Sequence, residues 1–500
     1  MMLIKKLWSI HQSEFLFYLI LISGCLLRLL VAFQTIEILH PDEHFQVLEP
    51  AAQLVWGIGV KTWEWHIGLR SWTVPYIFFP ILKTLDLFDI KGGLIAIQLC
   101  RAFVALLSSF CLFQFYILLK KLSFSFLAKW ILLSIIAFTP AWIRFSAATL
   151  SDTIALDFLW ILVPFSLSFF DSNRKRDKFL VGFLLTIPFF IRIQSLLFTF
   201  GFFACFIFYQ KFVYSKKTIE YLKNIFPYFL GSLTVILLQG LFDLVTWGSF
   251  LHSVYINVKK NLIENVSSIY GVEPWYYYFK HFTKEYGFIF TTYAVIAFIL
   301  FLKNLITRKN NKVPNELFMN CLLTGSLFYI FVHILLAHKE SRFLYLALPG
   351  LLLLGGNKLN NICLELESFF YRFYKCILLI LTFIFGISAL PNTLDYDAYP
   401  GSNMSNLLIQ IHKSGILRNS TERCILLLGH YWVWTHGELL QGMACKYIER
   451  NAATVSEHEL FLCPFVILVP QQEEIFRKRV GSRFKLLEKN PRGYLLYQKN

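Results

Sequence analysis

The chain has 500 residues and a formal charge of +16; 56% of it is hydrophobic, 18% aromatic and only 16% charged, against about 25% charged in an average soluble protein. So much apolar surface cannot be hidden from water, which excludes a soluble enzyme, a disordered chain and a disulfide-stapled secreted module. The positive charge sits in short loops rather than along a basic stripe, so it reads as a membrane-topology signal and not as a nucleic-acid footprint.

A transmembrane helix needs about 20 mostly apolar residues. Such runs occupy 15–35, 93–119, 124–143, 153–170, 178–194, 195–210, 225–247, 283–303, 317–337, 343–358 and 374–391, predicting an all-α polytopic membrane protein with about 11 crossings. The stretch 178–210 is too long and too polar in its middle for one span, so it is divided near Pro188 and Arg192. Residues 76–88 suit a short helix lying in the membrane interface. Lys5 and Lys6 precede the first run, which is too long for a signal peptide and is read as an anchor.

With the N-terminus in the cytosol, Lys120–Lys121, Arg174–Arg176, Lys211, Lys216–Lys217 and the basic run 308–312 all fall on the cytosolic side. The same threading puts the sequons at Asn265, Asn403 and Asn419 on the opposite, lumenal face. Residues 392–500 carry short apolar runs such as Ile425–Leu428 and Phe465–Leu468 between polar stretches, as a small lumenal α+β domain would. The division expected is therefore a membrane domain, 1–391, and a C-terminal domain, 392–500. Cys424, Cys445 and Cys463 lie in this tail, where a disulfide is permitted, and an odd count leaves the pairing open.

Chemistry concentrates in the polar lumenal loops. His40-Pro41-Asp42-Glu43-His44 follows the first span, with two acids at the start of a helix that Pro41 helps to begin. Helix capping alone would explain them, but Thr62-Trp63-Glu64-Trp65 and Arg70 follow, and aromatics interleaved with an acid and a base suit a sugar-binding surface as well as an interfacial belt. Asn265–Phe279 adds Tyr270, Trp275 and further aromatics, for stacking or anchoring. His338-Lys339-Glu340-Ser341-Arg342 holds three cations in five residues, suited to a lipid phosphate, against the positive-inside trend. Arg28, Arg101, Asp157, Arg192 and Asp243 sit inside spans, where charge calls for a partner or a cavity; Arg28 with Asp157 is the pairing expected. His40 and His44, spaced i and i+4, lack a distant third metal ligand.

These motifs, in order HPDEHFQ with LEPA, TWEW-x3-LRS-x3-P, SSIYG-x2-PWYYY and HKESRFLYLALP, resemble the signatures of the dolichyl-phosphate-mannose-dependent mannosyltransferases of the endoplasmic reticulum, glycosyltransferase family 22. The resemblance covers most of the membrane domain and implies a GT-C glycosyltransferase fold; the spacing of TWEW and LRS favours the branch that adds the third, α1,2-linked mannose of the GPI anchor precursor. It departs from the family where Ala148-Thr149-Leu150-Ser151-Asp152-Thr153-Ile154-Ala155 replaces an Arg-Thr-Leu-Ser-Asn-x-x-Glu pattern.

The resemblance implies inversion at the mannose carbon, with one base. Asp42 matches the family's catalytic carboxylate, with Glu43 second. His338, Lys339 and Arg342 are expected to stabilise the leaving phosphate, so no metal or other cofactor is expected. Trp63, Glu64, Trp65, Arg70, Tyr270 and Trp275 are the acceptor-glycan candidates. The implied partners are a lipid-linked sugar donor and a GPI-lipid acceptor in the membrane, with no nucleic acid. The alternatives are transfer to dolichol-linked oligosaccharide or to a later GPI mannose and, in another class, a lipid-linked sugar transporter, although no repeated halves are visible.

Overall fold

A computed structural model describes residues 2–34, 39–213, 218–307, 314–354, 356–369, 374–393, 405–429, 437–490 and 493–500. Asn403, Lys216–Lys217 and the basic run 308–312 lie outside the described residues. The apolar runs form helices in chain order: α1 (Met2–Gln34), α2 (Glu49–Trp56), α3 (Thr73–Leu87), α4 (Gly93–Lys121), α5 (Phe126–Phe138), α6 (Pro140–Ser146), α7 (Ser151–Phe170), α8 (Lys175–Thr186), α9 (Ser195–Phe208), α10 (Thr218–Trp247), α11 (His252–Val258), α12 (Phe288–Thr307), α13 (Pro314–Leu335) and α14 (Tyr374–Thr393).

Among the described residues six helices are long and apolar enough to cross a membrane, or seven if the bent pair α5–α6 is one span. Several of the eleven runs are shorter in the fold. The run 178–194 becomes α8 and a 3-10 turn, Ile187–Phe190, and 343–358 becomes a 3-10 turn, Ser341–Ala347, followed by one helical turn, Leu348–Leu352. The short helix expected at 76–88 forms as α3, with Leu87 exposed at its end.

In lipid, helices pack by close approach rather than by hydrophobic burial, so small residues mark the contacts. A Cβ on Gly182 of α8 would lie 1.9 Å from the Tyr228 carbonyl of α10, and one on Gly231 would lie 2.1 Å from the Phe179 carbonyl. Pro140 bends the α5–α6 span by 61° and has no N–H to give the turn before it. Arg28 takes up the carbonyls this releases, donating to Ile136 O at 3.0 Å and Ala137 O at 3.5 Å as well as Gly24 O at 2.9 Å. Among the described residues Arg28 and Asp157 make no direct ion pair, although both line one small cavity; Asp157 accepts from Ser108 Oγ at 2.6 Å. A helix break uses the donor that a lone charge comparison assigned to an acid.

Among the described residues the tail carries α15 (Ser405–Ser414) and a five-stranded sheet in the order β2-β1-β3-β5-β4. Its strands are β1 (Cys424–Leu428), β2 (Lys446–Arg450), β3 (Phe465–Leu468), β4 (Phe484–Lys489) and β5 (Leu495–Lys499), with α16 (Gly437–Gln441) and α17 (Glu473–Val480) between them. β1, β2 and β3 run parallel, and β5 is antiparallel to both β3 and β4. Every residue of β1 and β3 is buried, because both sheet faces are covered. Ile425, Leu427, Phe465 and Ile467 face a core shared with Leu48, Ala52, Phe78 and Leu82 of the first loop region. Leu426, Leu428, Val466 and Leu468 alternate to the other face, against Phe476 and Val480 of α17. Cys424 and Cys463 form the disulfide, and Cys445 is free and buried.

The tail is clasped to α2 by two acids. Glu49 is fully buried and accepts from Val60 N (2.9 Å), Glu438 N (3.1 Å) and Leu439 N (2.9 Å). Glu438 reciprocates, accepting from Gly59 N at 2.8 Å and Cys445 N at 3.1 Å. Gly437, at φ +60°, leaves the room: a Cβ there would stand 2.4 Å from Glu49 Oε1.

Candidate active site

Asp42 sits where the chain turns from the first span into a π-helical turn, Glu43–Leu48, continuous with α2. Its backbone N–H is 3.2 Å from His40 Nδ1, and its carboxylate meets Arg342 Nη2 at 2.7 Å, across 300 residues of sequence. Arg342 is held by two further acids. Its Nε donates to Glu340 Oε2 at 2.5 Å and its Nη1 to Asp152 Oδ2 at 3.4 Å. Asp152, at the start of α7, also takes Arg192 Nη1 at 2.8 Å. Both guanidinium groups lie over the Phe343 ring, at 5.2 and 5.3 Å.

Glu340 is the second hub. It meets His40 Nε2 at 3.2 Å, His338 Nε2 at 2.9 Å and Arg342. His338 Nδ1 faces the Gly271 carbonyl at 2.9 Å, so both of its ring nitrogens face acceptor-only groups, which favours the doubly protonated ring. The bond to Glu340 holds the His338 pKa above its usual value. Burial pushes the Asp42 carboxyl up, but Arg342 and then His40 pull it down further, and it ends below the usual range. Burial opposes charge on Arg342 as well, and Asp42 and Glu340 more than offset it, so the guanidinium stays charged. Asp42, Asp152 and Glu340 thus face Arg342, Arg192, His338 and His40. The basic pentad is neutralised by acids, one of them its own Glu340.

The structure separates the other sequence candidates. Glu43, the second base candidate, is buried and faces backbone, accepting from Leu39 N (2.8 Å), His40 N (3.2 Å) and Thr149 N (3.2 Å). It pins the His-Pro-Asp turn to the loop before α7. Lys339 points away from the cluster, its ammonium donating to the Glu273 carbonyl at 2.8 Å and to the Leu336 carbonyl. Together with His338 it anchors the 265–279 loop, whose Glu273 N–H returns to Ala337 O at 3.0 Å.

Trp65 lies apart from the exposed rim. It is 2% exposed, donates to Phe45 O at 3.0 Å and packs on Trp72 and Trp247, so it is core. Glu64 and Arg70 form a two-bond pair at 2.8 and 3.1 Å. Trp63 Nε1 donates to Tyr270 OH at 2.9 Å on the exposed rim, joining two acceptor candidates. The ring contacts of Trp275, among the described residues, are with Tyr276 and Phe279, on the outer edge of the loop.

Sequence reasoning gave no role to Asp152, Arg192, Phe343 or Glu340. Two signals pointed there: Ser151-Asp152 falls on the lumenal side of the threading, and Arg192 breaks an apolar run. Among the described residues no group of three His, Cys, Asp or Glu side chains is arranged to hold a metal ion.

Residues 17–400 match the Alg9-like mannosyltransferase family. Among curated proteins the chain is similar to GPI alpha-1,2-mannosyltransferase 3 of Homo sapiens, 25% identical over 346 residues, 69% of this chain and 58% of that one. It is similar to GPI alpha-1,2-mannosyltransferase 3 of Bos taurus (25% over 323 residues, 64% and 55%) and to GPI mannosyltransferase 3 of Candida albicans (26% over 335 residues, 65% and 60%). The matched part of the chain thus spans between half and two thirds of the length of these relatives. In three dimensions it is similar to ArnT from Cupriavidus metallidurans in the apo state, with TM-score 0.59 and 10% identity over 95% of this chain and 96% of that one. The same protein bound to undecaprenyl phosphate gives a TM-score of 0.52.

Proposed function

The chain belongs to the Alg9-like mannosyltransferase family, and from that premise we propose that it moves mannose from dolichyl-phosphate-mannose to a lipid-linked glycan, adding the third, α1,2-linked mannose of the GPI anchor precursor. The observation that carries the reading is the 2.7 Å contact between the acid after His-Pro and the arginine of the distant basic pentad. It puts an ionised carboxylate beside the cations suited to a departing phosphate.

In this reading Asp42 takes the proton from the acceptor hydroxyl. The new C–O bond forms on the face opposite the phosphate, and the bond to the phosphate breaks, which inverts the mannose carbon. The leaving group is already a stable anion and needs no acid. Arg342 and protonated His338 receive the charge that develops on it, a preorganised electrostatic role. Arg342 is shared with Asp42 at rest, so an arriving phosphate would compete for the same fork. Trp63, Tyr270, Trp275 and the Glu64–Arg70 pair would meet the acceptor at the rim, and Lys339 would act by holding the 265–279 loop. The division at 391/392 and eleven crossings in the endoplasmic reticulum membrane, with the N-terminus cytosolic and the tail lumenal, complete the proposal. The tail disulfide fits an oxidising compartment.

The test is Asp42→Asn and Asp42→Ala in cells lacking third-mannose activity. A general base contributes roughly 10²–10⁴-fold, so both variants should insert into the membrane, fail to restore GPI-anchored surface protein and leave a two-mannose precursor. Full rescue by Asp42→Ala overturns the base assignment. With the cations taking the phosphate charge, wild-type turnover in isolated membranes should persist in EDTA; loss restored by a divalent ion would overturn that part.

A further inference from the structure

Arg342 offers three nitrogens, and each meets a different acid. Nε meets Glu340 at 2.5 Å, Nη2 meets Asp42 at 2.7 Å and Nη1 meets Asp152 at 3.4 Å. The contact with Asp152 is the longest, and Asp152 is the acid with a second arginine on it. The same oxygen, Oδ2, accepts from Arg192 Nη1 at 2.8 Å. One carboxylate oxygen therefore serves two guanidinium groups, unequally.

The fold brings these groups from three separate breaks in the helices. Asp152 lies in the first turn of α7, where the positive end of a helix suits an acid. Arg192 lies between the 3-10 turn Ile187–Phe190 and α9, and Arg342 lies in the 3-10 turn Ser341–Ala347. Arg192 Nη1 also reaches Ser151 Oγ at 3.2 Å, and its guanidinium faces Tyr329. Phe343 lies under both guanidinium groups, an uncharged partner that an anion does not displace. Two like charges are thus held on one ring and share one acid.

Asp42 and Arg342 keep 20% and 11% of their side-chain surface exposed, whereas Asp152 keeps 3% and Arg192 9%. Asp152 is enclosed and acts on a bound ligand through the cation it holds. Coulomb's law fixes the sign of each effect. The Asp152 carboxylate opposes an anion arriving at Arg342, and the Arg192 guanidinium offsets that opposition. A brace without an electrostatic role would behave differently. Removing either partner would loosen the same contact, and binding would weaken in both cases.

We propose that Asp152 and Arg192 form a positioning pair that sets how firmly Arg342 holds an anionic lipid headgroup, Asp152 weakening the hold and Arg192 strengthening it. That the anion is the phosphate of a mannose donor rests on the mannosyltransferase reading. Full-length wild type, Asp152→Asn, Arg192→Gln and the double variant are purified in detergent and titrated with dolichyl phosphate, affinity being read from thermal stabilisation. Each substitution keeps a polar amide where the charge was. Asp152→Asn should bind about 10-fold more tightly, Arg192→Gln about 10-fold more weakly and the double variant within about threefold of wild type, as charges in contact are not additive.

Weaker binding in both single variants, or affinities within about twofold of wild type in both, overturns the proposal. A wild type that dolichyl phosphate does not stabilise overturns it as well. If Asp152→Asn yields no folded protein, the double variant decides. Recovery of the affinity lost in Arg192→Gln supports the pair, and no recovery, or no folded double variant, shows a brace and overturns it. Mannose transfer from dolichyl-phosphate-mannose to a two-mannose GPI lipid is measured on the same wild type. If the binding order holds without transfer, the mannosyltransferase reading fails and the charge sharing stands. If transfer occurs and the binding order fails, the charge sharing falls alone.

Discussion

Asp42 and Glu43 are neighbours with the same chemistry and opposite fates. Asp42 faces Arg342, while Glu43 turns inward to three backbone N–H groups. The pentad shows the same split. His338 and Arg342 join the cluster, and Lys339, between them, is spent on carbonyls. Residue type was legible in the sequence and side-chain direction was not, because direction depends on which partners the fold brings within 3 Å. His338 gives a pH prediction. Its folded pKa is raised above the usual 6.5, so its cation and the stability of its Glu340 bond are fully present below about 6.5 and are lost as pH climbs through the raised value. Donor KM should rise along that alkaline limb, and His338→Gln should remove the pH dependence while leaving a higher KM throughout. A limb unchanged in His338→Gln would assign it to another group.

The π-helical turn and α2 form one rod, with Asp42 at its head and Glu49 in the middle, and the tail grips that rod. Glu49→Ala would strand three buried backbone N–H groups, at about 1–3 kcal/mol each. The expected result is earlier proteolytic release of the tail and lower activity, with the helices still inserted. Tail protection equal to wild type would show the clasp to be dispensable. Burial pushes the Glu49 carboxyl up to about 8 although the Leu439, Val60 and Glu438 N–H groups pull it down. The folded state then holds a proton that the unfolded chain releases near 4.5, so tail docking should weaken as pH rises from about 4.5 to 8. Glu49→Gln should flatten that dependence. Strands β1 and β3 of the tail were legible as short apolar runs, and the clasp was not, since Glu49 reads as an ordinary helix-start acid until α16 arrives 390 residues later.

At the scale of the molecule, the 265–279 loop is tied to His338 and Lys339, and the tail to α2, so both are joined to the elements that carry the Asp42 cluster. Asn265 and Asn419 are exposed there. If that face is lumenal, Asn265→Gln and Asn419→Gln should each remove one glycosidase-sensitive band shift, and a sequon engineered beside Ser123 should stay unmodified. Modification at Ser123 with none at Asn265 or Asn419 would invert the orientation. By itself the sequence determined that this is a helical membrane protein with a small terminal sheet, because a long apolar run must leave water whatever surrounds it. It also marked the motifs that hold the acids and cations. Only the tertiary structure decided that Asp42 meets Arg342, that Arg28 serves a proline break and that Trp65 is core. Those outcomes depend on contacts across up to 300 residues, and no local spacing encodes which donor reaches which acceptor.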